Sequence, residues 1–279
     1  MFRTPTCVLS DSAPPRTSGG HAVDRFVEIG SLTKVLTGTA LARMDAAGLL
    51  GLDDPLERWL AVPAGTGITL RNLADHTSGL PRLPPGLSGG ADPYLPFDEE
   101  SLRALLARLD TVTVRPPGAQ EEYSNLGYAL LGAALTEAAG LPYQELLRRY
   151  VLGPLEIDEI TADPPAERRL LAPGLFGGRR RPWTMSGPIL PAGGLWATPR
   201  AAADLVTGLL LERRLGEPAL SWQCAGRLRW HNGATRHASI FAGVMPDGRW
   251  VVIHRLNGSP DRTDRAGVDL LIRGRGEEV

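Results

Sequence analysis

A serine and a lysine three residues apart, Ser31 and Lys34, are the side chains of this sequence best suited to covalent chemistry. They open an apolar helical pattern, which predicts that they lie one above the other on the first helical turn. A serine hydroxyl becomes a good nucleophile when a base removes its proton, and a desolvated lysine amine can be that base. Of the 30 basic residues, 29 are arginine, and Lys34 is the single lysine. Because guanidinium groups keep their proton, this position alone offers a neutral amine near pH 7.

Two further stretches carry side chains that suit such a pair. Tyr123 and Asn125 belong to a Tyr-Ser-Asn triplet ahead of a predicted helix. Tyrosine can relay protons when a neighbouring ammonium lowers its pKa, and an asparagine amide can hold both a substrate carbonyl and a lysine. His231 and Gly233 lie at a predicted strand end, where glycine lets a substrate approach the backbone closely. Taken singly, the three stretches also fit a solvated helix face, a packed tyrosine and an ordinary histidine.

Composition indicates a soluble globular chain, long enough for one large domain or two lobes. The 279 residues are 43% hydrophobic and 22% charged, and the formal net charge is −1. This balance predicts neither a nucleic-acid partner nor an anionic membrane partner. The two cysteines and five histidines have no metal-ligand spacing, so we expect no metal site and no cofactor.

The N-terminal segment and the cysteines bear on location. Residues 1–10 contain no apolar core of a secretion signal, and no apolar run of the sequence is long enough to span a bilayer. We therefore expect a cytoplasmic protein. In a reducing compartment, Cys7 and Cys224 are expected to be free, buried thiols rather than a disulfide.

The order of the predicted elements indicates an α+β fold. Extended patterns mark five stretches near the two chain ends: 5–10, 25–29, 225–230, 237–245 and 249–256. Helical patterns include the stretch after Ser31 up to about Gly48 and the stretches 125–139, 200–211 and 262–272. We predict an antiparallel sheet built from both chain ends and flanked by helices.

The same order predicts two lobes. The sheet lobe comprises residues 1–55 and 190–279, and a mainly helical lobe comprises residues 56–189. A cleft between two lobes is the usual place for a small-molecule site. Loops at 82–97 and 165–190 would shape its specificity.

The three motifs, in this order, resemble those of the serine β-lactamase/D,D-peptidase superfamily. The matching stretches are Phe26 to Lys34, Tyr123 to Asn125 and His231 to Gly233. More closely, the chain resembles the class C β-lactamase-related branch, which includes esterases, D,D-carboxypeptidases and acyltransferases. Flanking stretches at 52–55, 68–73, 76–81 and 192–195 agree, and the likeness extends over residues 24–258. The resemblance implies a β-lactamase/transpeptidase-like fold.

The resemblance also implies roles for individual residues. Ser31 would attack a carbonyl carbon and form an acyl-enzyme. Lys34 and Tyr123 would share the proton transfers, and Asn125 would position Lys34 and the substrate amide. The oxyanion would bind the backbone N–H groups of Ser31 and Ala234, and such preorganised donors are typically worth about 10²–10³ in rate each.

This sequence departs from the family pattern in two places. His231 stands where most β-lactamases of this type have lysine, although some D,D-peptidases of the branch also have histidine. A histidine is largely neutral at pH 7, so its grip on a substrate carboxylate is weaker and an uncharged ester suits it better. Only 30 residues precede Ser31, so the helix that family members usually have on the sheet is expected to be missing. Residues 262–272 would then cover the sheet alone, or a partner subunit would fill the gap. His76 is interpreted as structural.

These observations predict a serine hydrolase that cleaves an ester or amide through an acyl-enzyme. Three alternatives stay open: an acyltransferase of small-molecule metabolism, a β-lactamase or D,D-carboxypeptidase, and a non-catalytic binding protein of the same fold. The expected partner is a small-molecule ester, amide or lactam. The oligomeric state is open, and a homodimer is compatible with the sequence.

Overall fold

In a computed structural model, which describes residues 4–87, 92–174 and 178–273, the chain forms two β-sheets packed with helices. The strands are β1 (Thr6–Ser10), β2 (Arg16–Ser18), β3 (Val27–Glu28), β4 (Ile160–Thr161), β5 (Trp196–Ala197), β6 (Gln223–Ala225), β7 (Leu228–Ala234), β8 (Ala238–Val244) and β9 (Trp250–Leu256). The helices are α1 (Thr33–Ala46), α2 (Leu70–Ala74), α3 (Glu99–Leu106), α4 (Leu109–Val112), α5 (Asn125–Ala139), α6 (Tyr143–Leu147), α7 (Gly153–Leu155), α8 (Leu190–Gly193), α9 (Pro199–Leu210) and α10 (Pro260–Arg273). Parts of both predicted specificity loops, 88–91 and 175–177, lie outside the described residues.

The larger sheet joins the two ends of the chain, as the sequence predicts. Within the described residues it has six antiparallel strands in the order β2-β1-β9-β8-β7-β6. β1 pairs with β9, with Thr6 opposite Arg255 and Ser10 opposite Val251. β8 and β9, which the sequence predicts as the stretches 237–245 and 249–256, form an antiparallel hairpin. The α+β fold with an antiparallel sheet from both termini is therefore confirmed.

Helices pack on this sheet from two sides. Ile240 and Ala242 of β8 belong to the main core together with α9, whereas Phe241 between them belongs to a separate cluster beneath α10. A Cβ atom at Gly267 of α10 would lie 2.1 Å from Phe241 Cδ1, so glycine is required for the helix to pack this closely. All seven residues of β8 are buried, as expected for a strand covered on both faces.

Two buried helices, α1 and α5, place the catalytic candidates. The bounds of α5 match the predicted 125–139. The Ser124 hydroxyl accepts a hydrogen bond from the Gly127 N–H, and Gly140 ends the helix at φ 61°. α1 packs against α5 and follows a 3₁₀ turn, Gly30–Leu32, so Ser31 lies just ahead of the α-helix.

A second, small sheet fixes the backbone ahead of Ser31, and the sequence does not predict it. Within the described residues, β3 and β4 each pair with β5 over two residues. Strands this short leave no periodic pattern, which explains why residues 160–195 look irregular in the sequence. Their pairing depends on contacts between distant parts of the chain.

Two buried histidines connect the larger sheet to β3. His254 Nε2 lies 3.1 Å from the Glu28 carbonyl oxygen, and His254 Nδ1 lies 2.8 Å from His21 Nε2. Burial lowers the pKa of His21 to about 4 and holds the pKa of His254 well below 6.5. Both rings are therefore neutral near pH 7, and each then has the one N–H donor that this chain of hydrogen bonds requires. The pair holds the strand that leads to Ser31 against β9.

The two cysteines differ in environment. Cys7 is buried in β1, and burial raises the pKa of its thiol to about 12. Cys224 is free as well but exposed, because it lies on the edge strand β6. The expectation of buried thiols is therefore correct for Cys7 and wrong for Cys224.

Candidate active site

Ser31 lies in a 3₁₀ turn that packs against the end of β7. Gly30 has φ 48°, a left-handed conformation that favours glycine. A Cβ atom at Gly30 would lie 2.7 Å from the Ala234 backbone nitrogen, so a side chain there is excluded for a second reason. This close approach brings β7 beside the Ser31 hydroxyl, which is half-buried.

Lys34 is completely buried, with its amine among three oxygen atoms. Nζ lies 2.8 Å from Asn125 Oδ1, 2.5 Å from the Ala192 carbonyl oxygen and 3.3 Å from Ser31 Oγ. Burial lowers the pKa of Lys34 well below 10.5, and the positive charge of Arg82 lowers it further. Both effects favour the neutral form of the amine, which is the form that a base requires.

The three oxygen neighbours of Nζ can accept from an ammonium, and they also fit a neutral amine whose lone pair faces Ser31. A neutral amine has two N–H groups and one lone pair, whereas carbonyl oxygens only accept hydrogen bonds. The Asn125 and Ala192 oxygens take both N–H groups. In the neutral amine, the lone pair then faces Ser31 Oγ at 3.3 Å and can receive the hydroxyl proton.

The Ala192 carbonyl is a functional candidate that sequence reasoning missed. The stretch 192–195 has a family resemblance, but a backbone oxygen leaves no residue-type signal. Thr37 of α1 donates a hydrogen bond of 2.8 Å to the Pro191 carbonyl and so fixes α8 next to Lys34. Gly132 of α5 admits the Pro191 ring, since a Cβ atom there would lie 2.1 Å from Pro191 Cγ.

Tyr123 contacts the same hydroxyl from another direction. Its phenol oxygen lies 2.6 Å from Ser31 Oγ, and Lys34 Nζ lies 4.8 Å from the centre of its ring. Burial raises the pKa of Tyr123 above 10, which outweighs the lowering by the Ser31 hydrogen bond and by Arg82. The phenol is therefore protonated near pH 7, whereas the sequence argument relies on an ammonium that lowers this pKa.

Asn125 begins α5 and holds Lys34 through its side-chain oxygen. Its Nδ2 donates a hydrogen bond of 3.1 Å to the hydroxyl of Tyr94, which is buried and packs edge-on against Trp183. Hydrogen bonds therefore hold both the oxygen and the nitrogen of the Asn125 amide, and Oδ1 accepts from Lys34. Tyr94 lies in the Pro-rich loop 82–97, where no sequence pattern distinguishes it from a packing residue.

The His-Asn-Gly motif lies inside β7 rather than at a strand end. Consecutive residues of a strand face opposite sides. Asn232 donates a hydrogen bond of 2.7 Å to Asp264 of α10, so His231 and Gly233 face the other side, towards Ser31. A Cβ atom at Gly233 would lie 1.9 Å from the Ile29 carbonyl oxygen. Glycine here admits the chain's own backbone, which corrects the expectation that it admits a substrate.

His231 is 1% exposed and cannot act as a surface cation. Its Nδ1 lies 2.6 Å from the Asn232 carbonyl oxygen. Burial lowers the pKa of His231 to about 4, and the nearby Lys34 lowers it too, against the opposing effect of that hydrogen bond. The ring is neutral near pH 7, in agreement with the sequence prediction of an uncharged site.

Ala234 presents a backbone N–H beside the Ser31 turn. The Thr235 N–H donates a hydrogen bond of 2.9 Å to the Ala238 carbonyl of β8. N–H groups alternate sides along an antiparallel strand, so the Ala234 N–H points away from β8. The contact with Gly30 places this nitrogen next to Ser31.

Comparison with known proteins adds an independent observation. The Beta-lactamase family model matches residues 13–274 of the sequence. The chain belongs to the beta-lactamase family. The match includes every site residue described above and confirms the family resemblance.

Several known proteins are similar in sequence over about two thirds of this chain. D-alanyl-D-alanine-carboxypeptidase/endopeptidase AmpH of Escherichia coli (strain K12) is 36% identical over 186 residues, which are 63% of this chain and 47% of that protein. Putative beta-lactamase-like 1 of Homo sapiens is 32% identical over 208 residues, 69% of this chain and 40% of that protein. The chain thus spans less than half the length of both relatives.

Solved structures share the fold at low sequence identity. A Beta-lactamase/D-alanine carboxypeptidase from Yersinia pestis has a TM-score of 0.78 and 22% identity, covering 97% of this chain and 93% of that chain. A D-amino acid amidase from Ochrobactrum anthropi SV3 has a TM-score of 0.76 and 19% identity, with coverages of 97% and 94%. The predicted β-lactamase/transpeptidase-like fold is therefore confirmed.

In this beta-lactamase family member, His76 holds the segment that carries Tyr123. Its carbonyl accepts a hydrogen bond of 2.7 Å from the Glu122 N–H, and its Nδ1 accepts one of 3.1 Å from the Ser124 N–H. Its ring packs against the Tyr123 ring with centres 4.6 Å apart. Burial, with smaller effects of Lys34 and His231, lowers the pKa of His76 to about 3, so Nδ1 remains an acceptor near pH 7. The residue interpreted as structural therefore positions Tyr123.

Replacing His76 with alanine is expected to lower kcat by about 10²-fold with little change in KM, because a displaced Tyr123 affects proton transfer more than binding. His76→Asn is the matched variant. Asparagine tolerates the φ of 63° and keeps an acceptor at the δ1 position, so most of the activity should return. Steady-state kinetics of both variants measure the effect. Equal kcat for His76→Ala and the unchanged chain would contradict the positioning role.

Proposed function

We propose that this chain is a serine hydrolase that cleaves an ester or amide through an acyl-enzyme on Ser31. The observation that carries the proposal is the environment of Lys34. Its amine is fully buried, has two acceptors for its N–H groups and has Ser31 Oγ as its third neighbour. A lysine with a purely structural role gains nothing from a lowered pKa, whereas a lysine that acts as a general base requires one.

In the first half-reaction, the lone pair of Lys34 accepts the Ser31 proton while Oγ forms a bond to the substrate carbonyl carbon. The carbonyl oxygen becomes negative and receives hydrogen bonds from the N–H groups of Ser31 and Ala234. The protonated amine then returns its proton, through the Tyr123 phenol, to the leaving alkoxide or amine. The bond to the leaving group breaks, and the acyl group stays on Ser31.

In the second half-reaction, water takes the place of the leaving group. As the water oxygen attacks the acyl carbon, the water gives a proton to the Tyr123 phenol oxygen while the phenol passes its own proton to the neutral amine of Lys34. The ammonium of Lys34 then gives a proton to Ser31 Oγ as the bond between Oγ and the acyl carbon breaks. Asn125 keeps Lys34 in place throughout and presents an amide to the substrate. Gly233 contributes by letting β7 approach the Ser31 turn. No metal or cofactor takes part in the proposed steps, and the described residues contain no group of three or more potential metal ligands.

His231 sets a preference within this chemistry. Because its ring is buried and neutral, His231 offers no cation to a substrate carboxylate. This supports an ester or amide whose binding needs no charged side chain at position 231.

Replacing His231 with lysine is expected to raise kcat/KM for carboxylate-bearing substrates relative to neutral esters by about tenfold, since it adds a charged donor. His231→Gln, which is neutral and similar in size, should leave the ratio unchanged. Kinetics with a penicillin and with p-nitrophenyl acetate provide the two substrates. An unchanged ratio in a folded His231→Lys protein would show that this position does not select for charge.

Kinetics with these and related substrates would also identify each of the three alternatives. Faster release of p-nitrophenol on addition of alcohols or amines would identify an acyltransferase. Turnover of penicillins, or of peptides such as those named for the Escherichia coli relative, would identify a β-lactamase or D,D-carboxypeptidase. Absence of turnover with every substrate would favour the binding protein.

The two-lobe division is also part of the proposal. Ser31, Lys34 and His231 come from the proposed sheet lobe, and Tyr123 and Asn125 come from the proposed helical lobe, which supports a site in the cleft between them. β4 crosses the proposed boundary by pairing with β5. Within the described ranges, no helix combines the length and hydropathy needed to cross a membrane. A cytoplasmic location stays a prediction, to be tested by cell fractionation.

A further inference from the structure

We propose that Arg82 binds a carboxylate of the substrate beside Tyr123 and so selects for negatively charged esters or amides. This inference rests on the proposed hydrolase function and names the substrate class of the same site. It places charge recognition on the loop after α2, on a different element from β7.

The backbone of Arg82 is part of the framework of the site. Its carbonyl oxygen accepts a hydrogen bond of 2.9 Å from the Asn125 N–H at the start of α5. Its guanidinium carbon lies 5.2 Å from the centre of the Tyr123 ring, and the hydroxyl of that ring contacts Ser31 Oγ. The cation is therefore separated from the nucleophile by a single tyrosine side chain.

The guanidinium is available to a ligand. The Arg82 side chain is exposed and has no carboxylate within 4.0 Å among the residues that the structure describes. Arg115, on the neighbouring segment, is instead paired with Glu122 at 2.5 Å. An arginine that stacks on an aromatic ring keeps its N–H donors free for the planar, bidentate contact that carboxylates make.

Burial disfavours the charged forms of the other basic side chains of the site. Burial lowers the pKa of His76 to about 3 and that of His231 to about 4, and it lowers the pKa of Lys34 well below 10.5. Arg82 is the charged neighbour that lowers the pKa of both Lys34 and Tyr123. Its field therefore extends over the reacting groups, and a negatively charged substrate is attracted to this side of the site.

Two matched pairs of esters test the inference. In the first, mono-p-nitrophenyl adipate carries a carboxylate on the acyl part, and p-nitrophenyl methyl adipate is its neutral twin. In the second, 3-acetoxybenzoate carries a carboxylate on the leaving group, and methyl 3-acetoxybenzoate is its neutral twin. The readout is the ratio of kcat/KM for the charged ester to that for its twin. The ratio cancels any effect of Arg82 on Lys34 and Tyr123, because both twins use the same base.

Arg82→Gln is expected to lower this ratio by about tenfold in at least one pair, and Arg82→Lys is expected to lower it less. Arg149→Gln is the matched control. Arg149 is exposed, and its guanidinium carbon lies 5.5 Å from the centre of the Tyr150 ring, so it is a second arginine on a tyrosine but outside the site. The ratio of kcat/KM values for Arg149→Gln should equal that of the unchanged chain. If Arg82→Gln gives ratios within twofold of those of the unchanged chain for both pairs of esters, the inference is wrong. The hydrolase proposal would be unaffected by that result. Absence of ester turnover by the unchanged chain would overturn both.

Discussion

Replacing Ser31 with alanine is expected to lower ester turnover by about 10⁴-fold or more, because no acyl-enzyme can form without the nucleophile. Lys34, Tyr123 and the backbone donors would remain, so substrate binding should survive. Hydrolysis of p-nitrophenyl acetate by the purified variant measures the loss. The alanine is smaller than serine and lies in a half-buried turn, so the variant should fold.

The matched control for this prediction is Ser12→Ala, since Ser12 is exposed and lies outside the site. Its kcat/KM should equal that of the unchanged chain. Retained turnover in Ser31→Ala, at a rate close to that of Ser12→Ala, would mean that another residue is the nucleophile. The role of Lys34 as its base would then have no support.

Replacing Lys34 with arginine is expected to be nearly as damaging as replacing it with alanine, at about 10²–10⁴-fold in kcat. Arginine keeps the positive charge but cannot accept a proton from Ser31. A role limited to charge or hydrogen-bond donation would instead survive the change. Kinetics of both variants compare the two roles directly.

Folding is the necessary control for Lys34, because the side chain is completely buried. Lys34→Met keeps the shape of the stem without the amine, and its thermal unfolding gives the reference for a folded, inactive site. A folded Lys34→Arg protein with turnover within tenfold of the unchanged chain would rule out Lys34 as the base. In that case Tyr123 would be the remaining candidate.

The pH dependence follows from the same assignment. The reactive form of Lys34 is the neutral amine, so kcat/KM for a neutral ester should rise with pH through the pKa of Lys34. Burial and Arg82 lower that pKa well below 10.5, so the rise should lie well below that of an exposed lysine. Arg82→Gln removes one of these influences and should shift the rise to higher pH.

Local patterns in the sequence predict much of this fold. α5 begins and ends where its apolar pattern, its Ser124 cap and its terminal Gly140 predict. Four of the five predicted extended stretches contribute to one antiparallel sheet, whereas the stretch 25–29 contains β3 of the small sheet. The two-residue strands β4 and β5 leave no pattern, and the small sheet is held by pairing between distant parts of the chain.

The site was predictable where side-chain type carries the chemistry. The structure brings together Ser31, Lys34, Tyr123 and Asn125, which the sequence singles out, and their catalytic roles stay predictions. The Ala192 carbonyl could not be predicted because every residue has one.

Two other features of the site depend on three-dimensional placement. The positioning of Tyr123 by His76 depends on a left-handed backbone at His76 and on its two hydrogen bonds with Glu122 and Ser124. Arg82 is one of 29 arginines, and only its position over the Tyr123 ring distinguishes it.

The mass of the intact protein after brief exposure to p-nitrophenyl acetate tests the central claim most directly. We expect the unchanged chain to gain the mass of one acetyl group, and fragmentation to place that group on Ser31. Ser31→Ala should gain nothing under the same conditions. Acetylation of another residue, or equal mass gain in Ser31→Ala, would contradict the proposed acyl-enzyme.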